Sequence, residues 1–286
     1  MGQKKQLKEL TLKDNFMFGA VMMEEENCKE FLELALGFPI ERVEVSKEKS
    51  IVYHPEYKGV RLDVYAKDEY NTRYNVEMQV TKKDELGKRD RYYHSQIDME
   101  MLLSGSEYKN LPKAYVIFIC NFDPFGKKKY RYTFTRQCEE EPEVNLNDGS
   151  TSIFLSTEGE NADEVPKELV TFLNFVKADL SESETDFEDS FVKKLQETIR
   201  RVKSNREMEE RFMIFEEMLR EERAEGKAEG KAEGKAEDIL DLLEELGKIS
   251  EELRNKIKGE KDLETLKKWF KLVAKAESME EFLEKM

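Results

Sequence analysis

The feature that most constrains the fold is an unbroken apolar run, Ala114–Cys120, which reads AYVIFIC. A strand with one solvated face alternates apolar and polar residues, whereas a strand covered on both faces is apolar throughout. The run therefore predicts a strand buried on both faces inside a mixed α/β domain.

The segments around this run predict an αβββαβ order for a domain that ends near residue 160. The first helix is expected at residues 11–36, because Gly37 and Pro39 are typical of a helix end. Strand regions are predicted at 43–53, 59–66 and 73–80, a second helix at 88–103, and peripheral strands, after the apolar run, at 130–135 and 152–155.

Beyond residue 160 the chain becomes helical and charged. The motif Ala-Glu-Gly-Lys occurs three times across residues 224–235. Each glycine in a helix costs about 1 kcal/mol relative to alanine, which favours a fraying linker. The four-residue period would alternatively align the glycines on one helix face where two helices approach closely. The predicted units are a domain at 1–160, a helical extension at 161–223, the repeat linker at 224–237 and a small helical unit at 238–286.

Charge is distributed unevenly along the chain. Lys and Arg number 48 and Asp and Glu 63, a formal net charge of −15. Residues 1–140 hold 24 basic and 24 acidic side chains, so the whole excess lies in residues 141–286. The acidic total therefore opposes nucleic-acid binding only in the C-terminal half.

Several classes of protein are disfavoured by composition. Three widely spaced cysteines fit neither a disulfide framework nor a zinc site, and two histidines make a histidine-ligated metal improbable. No apolar run approaches the ~20 residues of a membrane span. The polar start gives no signal peptide, so the sequence predicts a soluble, cytoplasmic protein with no membrane partner.

Acidic residues stand at matched positions on two predicted strands joined by a hairpin turn. In 59–66 the residues alternate so that Asp63 lies opposite the apolar face, and in 73–80 the same holds for Glu77 and Gln79. Neighbouring strands bring these side chains within cross-strand contact. One interpretation is that these two carboxylates bind Mg²⁺. The alternative is that they are ordinary exposed acids on the polar face of a hairpin.

Four segments of the chain carry a family resemblance. They are the hairpin, which reads GVRLDV before the turn and NVEMQ after it, the segment LKDNFMF in the first helix, RDRYYHSQID in the second, and YVIFICNFDPFG around the apolar run. Together they resemble the recombination-promoting nuclease family, often labelled transposases, of the PD-(D/E)XK nuclease superfamily. The resemblance implies a restriction-endonuclease-like αβββαβ core with a mixed sheet, followed by a long helical extension.

The resemblance also implies roles for particular residues. Asp63 and Glu77 match the two metal-ligand acids, and Gln79 stands where the superfamily consensus has lysine. The resemblance therefore implies metal-assisted hydrolysis of phosphodiester bonds, with Mg²⁺ or another divalent cation.

Helix residues are further candidates for the site. Arg89, Arg91 and Gln96 are candidates for DNA contact, although charged helix faces are usually only solvated. Asp14 is either an accessory acid of the site or an acid that stabilises the helix dipole.

The function predicted from these residues is a Mg²⁺-dependent DNA endonuclease, linked to DNA recombination or mobile elements. The alternatives are an inactive nuclease-fold protein that serves as a binding or scaffold module, and a transposase with a ribonuclease-H-like fold. A ribonuclease-H-like fold needs a third catalytic acid far downstream in the sequence, and no acidic residue stands out there. Self-association is expected through the C-terminal helices, where leucines and aromatic residues recur at helical spacing.

Overall fold

A six-stranded mixed sheet forms the centre of the N-terminal part of the chain. The computed structural model describes residues 5–46, 50–51, 60–82 and 84–286. The strands are β1 (Val43–Ser46), β2 (Ser50–Ile51), β3 (Val60–Arg61), β4 (Val64–Asp68), β5 (Arg73–Gln79), β6 (Ala114–Cys120), β7 (Arg131–Phe134) and β8 (Ser150–Ser156). The order in the sheet is β1-β4-β5-β6-β8-β7; β5, β6 and β8 are parallel, and the remaining pairs are antiparallel. The two short strands β2 and β3 form a separate antiparallel pair.

The predicted buried strand is β6, which lies between β5 and β8. Six of its seven residues are buried, and Tyr115 is partly exposed. This position explains the continuous apolar run, because both faces of β6 are covered. The prediction from the sequence is confirmed for this strand.

Nine α-helices occur among the described residues. They are α1 (Asn15–Met22), α2 (Glu25–Leu36), α3 (Leu86–Met101), α4 (Lys167–Lys177), α5 (Ser190–Lys203), α6 (Arg206–Leu246), α7 (Glu251–Gly259), α8 (Leu263–Val273) and α9 (Met279–Lys285). Helix α3 packs against β6. Helices α2, α4 and α5 pack together, and the Phe172 ring lies 5.2 Å from that of Phe31 and 5.9 Å from that of Phe191.

The first predicted helix is two helices. The chain breaks between α1 and α2, where Glu24 adopts an extended conformation. Glu25 and Glu26 thereby fall in the first turn of α2, where negative charge interacts favourably with the helix dipole. The prediction of one helix over 11–36 is wrong. It rests on the spacing of apolar residues, which does not reflect the favourable interaction of acidic residues with a helix N-terminus.

The predicted strand 59–66 is also interrupted. Leu62 and Asp63 lie between β3 and β4, and the chain bends at Asp63. Leu62 joins the same buried cluster as Tyr65, so strict alternation fails here. Residues 52–59, which include the predicted strand residues Val52, Tyr53 and Gly59 and the histidine His54, lie outside the described residues.

Helix α6 runs through the Ala-Glu-Gly-Lys repeat without interruption, in contrast to the expected fraying. Ala232 and Ala236 of the repeat region are buried in an apolar core, and this packing offsets the intrinsic cost of the nearby glycines. The helical extension predicted at 161–223 is interrupted before α6, where Asn205 Oδ1 accepts hydrogen bonds from the N–H groups of Glu207 and Met208. An asparagine that bonds the first free amides is typical of a helix start.

The chain divides into two compact units, Met1–Glu209 and Glu210–Met286. The C-terminal unit has its own core, to which Ile239, Leu243, Ile257, Leu266 and Phe282 contribute fully buried side chains. Serine or aspartate side chains cap helices α7, α8 and α9. Within the described ranges, none of the helices is both long enough and apolar enough to cross a membrane.

Candidate active site

The β4–β5 hairpin brings Asp63 and Glu77 together. Val64 pairs with Val76 across the hairpin, so Asp63, one residue earlier, stands opposite Glu77. The N–H of Asp63 donates to Glu77 Oε1 at 3.3 Å, and the N–H of Met78 donates to Asp63 Oδ2 at 3.0 Å. The two acidic residues are therefore held in contact by the backbone of the hairpin itself.

Burial makes this acid pair unusual. Glu77 is only 2% exposed, and its register partner on β6 is Phe118. Burial, and next the charge of Asp63, raise the pKa of the Glu77 carboxyl group. Both causes disfavour the charged form, so a nearby cation or a bound proton stabilises the pair.

Helix α3 supplies the groups that face Glu77. The Tyr93 hydroxyl donates to Glu77 Oε2 at 3.2 Å, and Arg89 Nη2 lies 3.5 Å from the same oxygen. Arg89 Nη2 also donates to the Tyr93 hydroxyl at 2.6 Å, since residues four apart share one helix face. Burial, together with the charge of Glu77, raises the pKa of Tyr93 to about 12, so its hydroxyl stays a hydrogen-bond donor.

Gln79 completes this arrangement at the end of β5. It lies on the same sheet face as Glu77, and its Oε1 accepts a hydrogen bond of 2.8 Å from Arg89 Nη1. Gln79 is nearly buried, with 8% of its surface exposed. The structure thus gathers Asp63, Glu77, Gln79 and Arg89 around one point, joined by Tyr93.

Gln96 and Arg91 occupy different environments on α3. Gln96 is buried, and its Oε1 accepts no hydrogen bond from the described residues. Arg91 is exposed. Gln96 is therefore enclosed within the protein, whereas Arg91 faces solvent.

Asp14 lies at the start of α1. Its carboxylate accepts a hydrogen bond from the Thr11 N–H at 2.8 Å and pairs with Lys5 at 2.7 Å. Helix α1 approaches the site further along, where a Cβ added at Gly19 would lie 3.9 Å from the Asp63 carbonyl oxygen. The contacts of Asp14 are thus with its own end of α1.

Two residues near the acid pair were not selected as site candidates from the sequence. Tyr93 shares the helix face of Arg89, but an aromatic residue on a helix is more often a packing residue. Asn75 is fully buried two positions before Glu77, and period two places it on the same strand face. The alternation that identified Glu77 could have identified Asn75 as well.

A second polar cluster lies along α3. His94 Nε2 is 3.1 Å from Ser152 Oγ, which donates to Asp90 Oδ2 at 2.7 Å. Burial, and secondarily the charge of Arg136, lower the pKa of His94 to about 4. His94 is therefore a neutral, buried residue at pH 7, as expected for a structural histidine.

The acid pair fits a cation that keeps most of its water. No group of three or more histidine, cysteine, aspartate or glutamate side chains is arranged to hold a metal ion in the described part of the chain. Asp63 and Glu77 offer only oxygen donors, and a magnesium site typically needs one or two carboxylates plus water and substrate. The donor set suits Mg²⁺ and does not suit a fully protein-ligated metal.

Comparison with known families identifies the chain. Residues 12–225 match the family described as PD-(D/E)XK nuclease family transposase. The match covers most of the chain, which therefore belongs to this family. The resemblance drawn from the sequence and the α/β fold class are both confirmed, and membership indicates a nuclease or mobile-element role. Comparisons with curated proteins and with solved structures give no match.

Proposed function

We propose that the protein is a divalent-cation-dependent DNA endonuclease, that Mg²⁺ is its preferred ion, and that Asp63, Glu77 and Gln79 form its active site. The observation that carries the proposal is the buried Glu77 carboxylate in contact with Asp63. Burying one acid beside another costs free energy and gives no structural benefit. Such perturbed acids are typical of functional sites.

Asp63 and Glu77 are the residues that would hold the cation. A bound divalent ion supplies Lewis-acid and water-activating chemistry at a phosphodiester. The chain orients both ligands beforehand, because backbone N–H groups of Asp63 and Met78 donate to the two carboxylates. This preorganisation reduces the rearrangement needed when substrate binds.

Gln79 would orient the attacking water or the phosphate by hydrogen bonding. It is neutral, so it adds no charge to the site. Arg91, exposed on α3, would contact a phosphate oxygen, and the buried Gln96 would orient groups of the site by hydrogen bonding. Residues 1–140, which carry the hairpin and α3, have no net charge and therefore do not repel DNA.

Cleavage of supercoiled plasmid tests the proposal directly. The full chain should convert plasmid to nicked or linear forms with Mg²⁺, and EDTA should stop the reaction. Glu77→Gln should be inactive, whereas Glu139→Gln, at an exposed site in another part of the domain, should cleave like wild type. Cleavage that survives EDTA, or that Glu77→Gln retains, would exclude the proposed site.

A DNA-binding protein without catalysis is the second candidate. The observation in its favour is that Arg89 already pairs with Glu77, and that glutamine stands in place of the consensus lysine. Such a protein would shift DNA in a gel in EDTA and leave it intact with Mg²⁺ or Mn²⁺. A role in recombination or in mobile elements is compatible with either candidate.

A further inference from the structure

The guanidinium of Arg89 is the one positive group that contacts Glu77 among the described residues. It reaches Gln79 Oε1 at 2.8 Å, the Tyr93 hydroxyl at 2.6 Å and Glu77 Oε2 at 3.5 Å. We propose that Arg89 is the permanent cation of this site: it neutralises Glu77 until a divalent ion does so, and it then supplies, beside Gln79, the charge that a lysine would carry. This inference rests on the proposed function.

The hydrogen bond between Arg89 and Gln79 holds the guanidinium charge close to the position where the superfamily consensus has a lysine. A lysine at position 79 would bring its ammonium group to the end of β5. Glutamine brings an amide, and its Oε1 accepts from Arg89 Nη1. The guanidinium charge is thereby tied within hydrogen-bond distance of the side chain that replaces the lysine. Arginine is always charged and binds phosphate well, so the charge itself need not be tuned.

Tyr93 fixes the guanidinium in position. Its hydroxyl accepts the shortest of the Arg89 contacts, and its ring centroid lies 5.4 Å from Arg89 Cζ. The Tyr93 ring in turn stacks on Phe118 of β6 at 6.1 Å. The Arg89 side chain is 28% exposed, whereas that of Glu77 is 3% exposed. Arg89 therefore reaches from the buried acid to the solvent, where a phosphate would arrive.

The three distances indicate which contact gives way. The contact with Glu77 is the longest and is mainly electrostatic, while the other two are short hydrogen bonds. If Asp63 and Glu77 held a divalent ion, the attraction between the guanidinium and Glu77 would be replaced by repulsion from the ion. The bonds to Gln79 and Tyr93 would hold Arg89 beside the site.

Thermal unfolding of the full chain tests the neutralising role without any activity measurement. In EDTA at about pH 9, where Glu77 is ionised, Arg89→Met should lower the unfolding midpoint by about 5 °C, because the carboxylate loses its counter-charge. Saturating Mg²⁺ should abolish most of this difference from wild type. Lys88→Met, at an exposed neighbouring position on α3, is the matched control. Its unfolding midpoints in EDTA and in Mg²⁺ should equal those of wild type.

The outcomes of this experiment are distinct. An Arg89→Met deficit of equal size in EDTA and in Mg²⁺ would make Arg89 a purely structural residue and overturn the inference. A wild-type midpoint that Mg²⁺ does not raise would overturn the proposed cation site. The replacement of Arg89 by the ion as the partner of Glu77 would fall with it. Arg89→Lys should show a smaller deficit in EDTA, because the charge is kept.

Plasmid cleavage by combined variants tests the second role. Arg89→Met should slow cleavage by about 100-fold, the loss expected when one stabilising charge leaves a site. The double variant Arg89→Met with Gln79→Lys should cleave at least about tenfold faster than Arg89→Met alone, because the lysine restores a positive charge to the site. Gln79→Lys alone should be slower than wild type, since it places two cations in contact. Failure of the rescue, or a faster Gln79→Lys single variant, would overturn the inference while leaving the cation site intact.

Discussion

The N–H of Asp63 donates to Glu77 Oε1 at 3.3 Å, so the two acids of the hairpin are in direct contact. The backbone thus supplies part of the stabilisation that one carboxylate needs beside another. It does not supply all of it, because burial and the charge of Asp63 still raise the pKa of Glu77. A cation, as proposed for this site, would supply the stabilisation that is still missing.

Isosteric removal of either charge separates function from stability. We expect Asp63→Asn and Glu77→Gln to lose at least about 100-fold of Mg²⁺-dependent cleavage. In EDTA both variants should be as stable as wild type or more stable by about 1 kcal/mol, because a repulsion is relieved. Plasmid cleavage and urea denaturation measure the two effects. A variant that is inactive only because it unfolds would contradict the assignment.

The metal-free protein should lose stability as pH rises above 4.5, the usual pKa of a glutamate. The folded-state pKa of Glu77 is raised, so the folded chain holds this proton more tightly than the unfolded chain does. Its contribution to stability is therefore complete below 4.5 and disappears as pH rises through the folded-state pKa. Urea midpoints in EDTA should show this decline, Glu77→Gln should show less of it, and Mg²⁺ should reverse it. Equal declines in wild type and Glu77→Gln would contradict the burial of a titrating Glu77.

His94 should make the opposite contribution at acid pH. Its pKa is lowered from 6.5 to about 4, so the unfolded chain binds this proton more readily. The stability that His94 contributes is complete above 6.5 and is lost as pH falls towards 4, by up to about 3 kcal/mol. His94→Gln should therefore lose less stability than wild type between pH 7 and pH 4.5, as measured by urea denaturation. Parallel curves for the two proteins would show that His94 is not buried neutral.

Periodicity predicted the parts of the site that depend on local pattern. The apolar run specified β6, and alternation along β5 placed Glu77 and Gln79 on one face. Asp63 reaches Glu77 through the hairpin pairing, although strand alternation itself breaks at Asp63. A separation of four residues puts Arg89 and Tyr93 on one helix face, where the structure has them in contact. These inferences succeed because a strand or helix converts sequence spacing directly into a shared face.

Other features depend on contacts between distant segments. The hydrogen bond from Arg89 to Gln79 requires the packing of α3 on the sheet, which no spacing reveals. The break before α2 and the continuous α6 likewise reflect a helix dipole and a buried core. Tertiary packing outweighed local propensity at these positions.

Alanine at the repeat glycines should stabilise the C-terminal unit. A Cβ added at Gly226, Gly230 or Gly234 meets nothing within 4 Å, and all three residues lie inside α6. Each replacement removes up to about 1 kcal/mol of helix cost, so the triple variant should gain about 1–3 kcal/mol. Circular dichroism during thermal unfolding measures the gain. A triple variant less stable than wild type would indicate that the glycines make a contact that alanine blocks.

Self-association through the C-terminal helices stays a prediction, and light scattering can test it. Leu266 and Trp269, two of the side chains expected to drive it, are already buried in the core of their own unit, so the association should be weak and concentration-dependent. The comparison protein should end after residue 209, because α5 is part of the N-terminal unit and Leu195 is fully buried there. We expect the full chain to gain mass with concentration and residues 1–209 to remain monomeric. Equal association of both proteins would place the interface in the N-terminal unit instead.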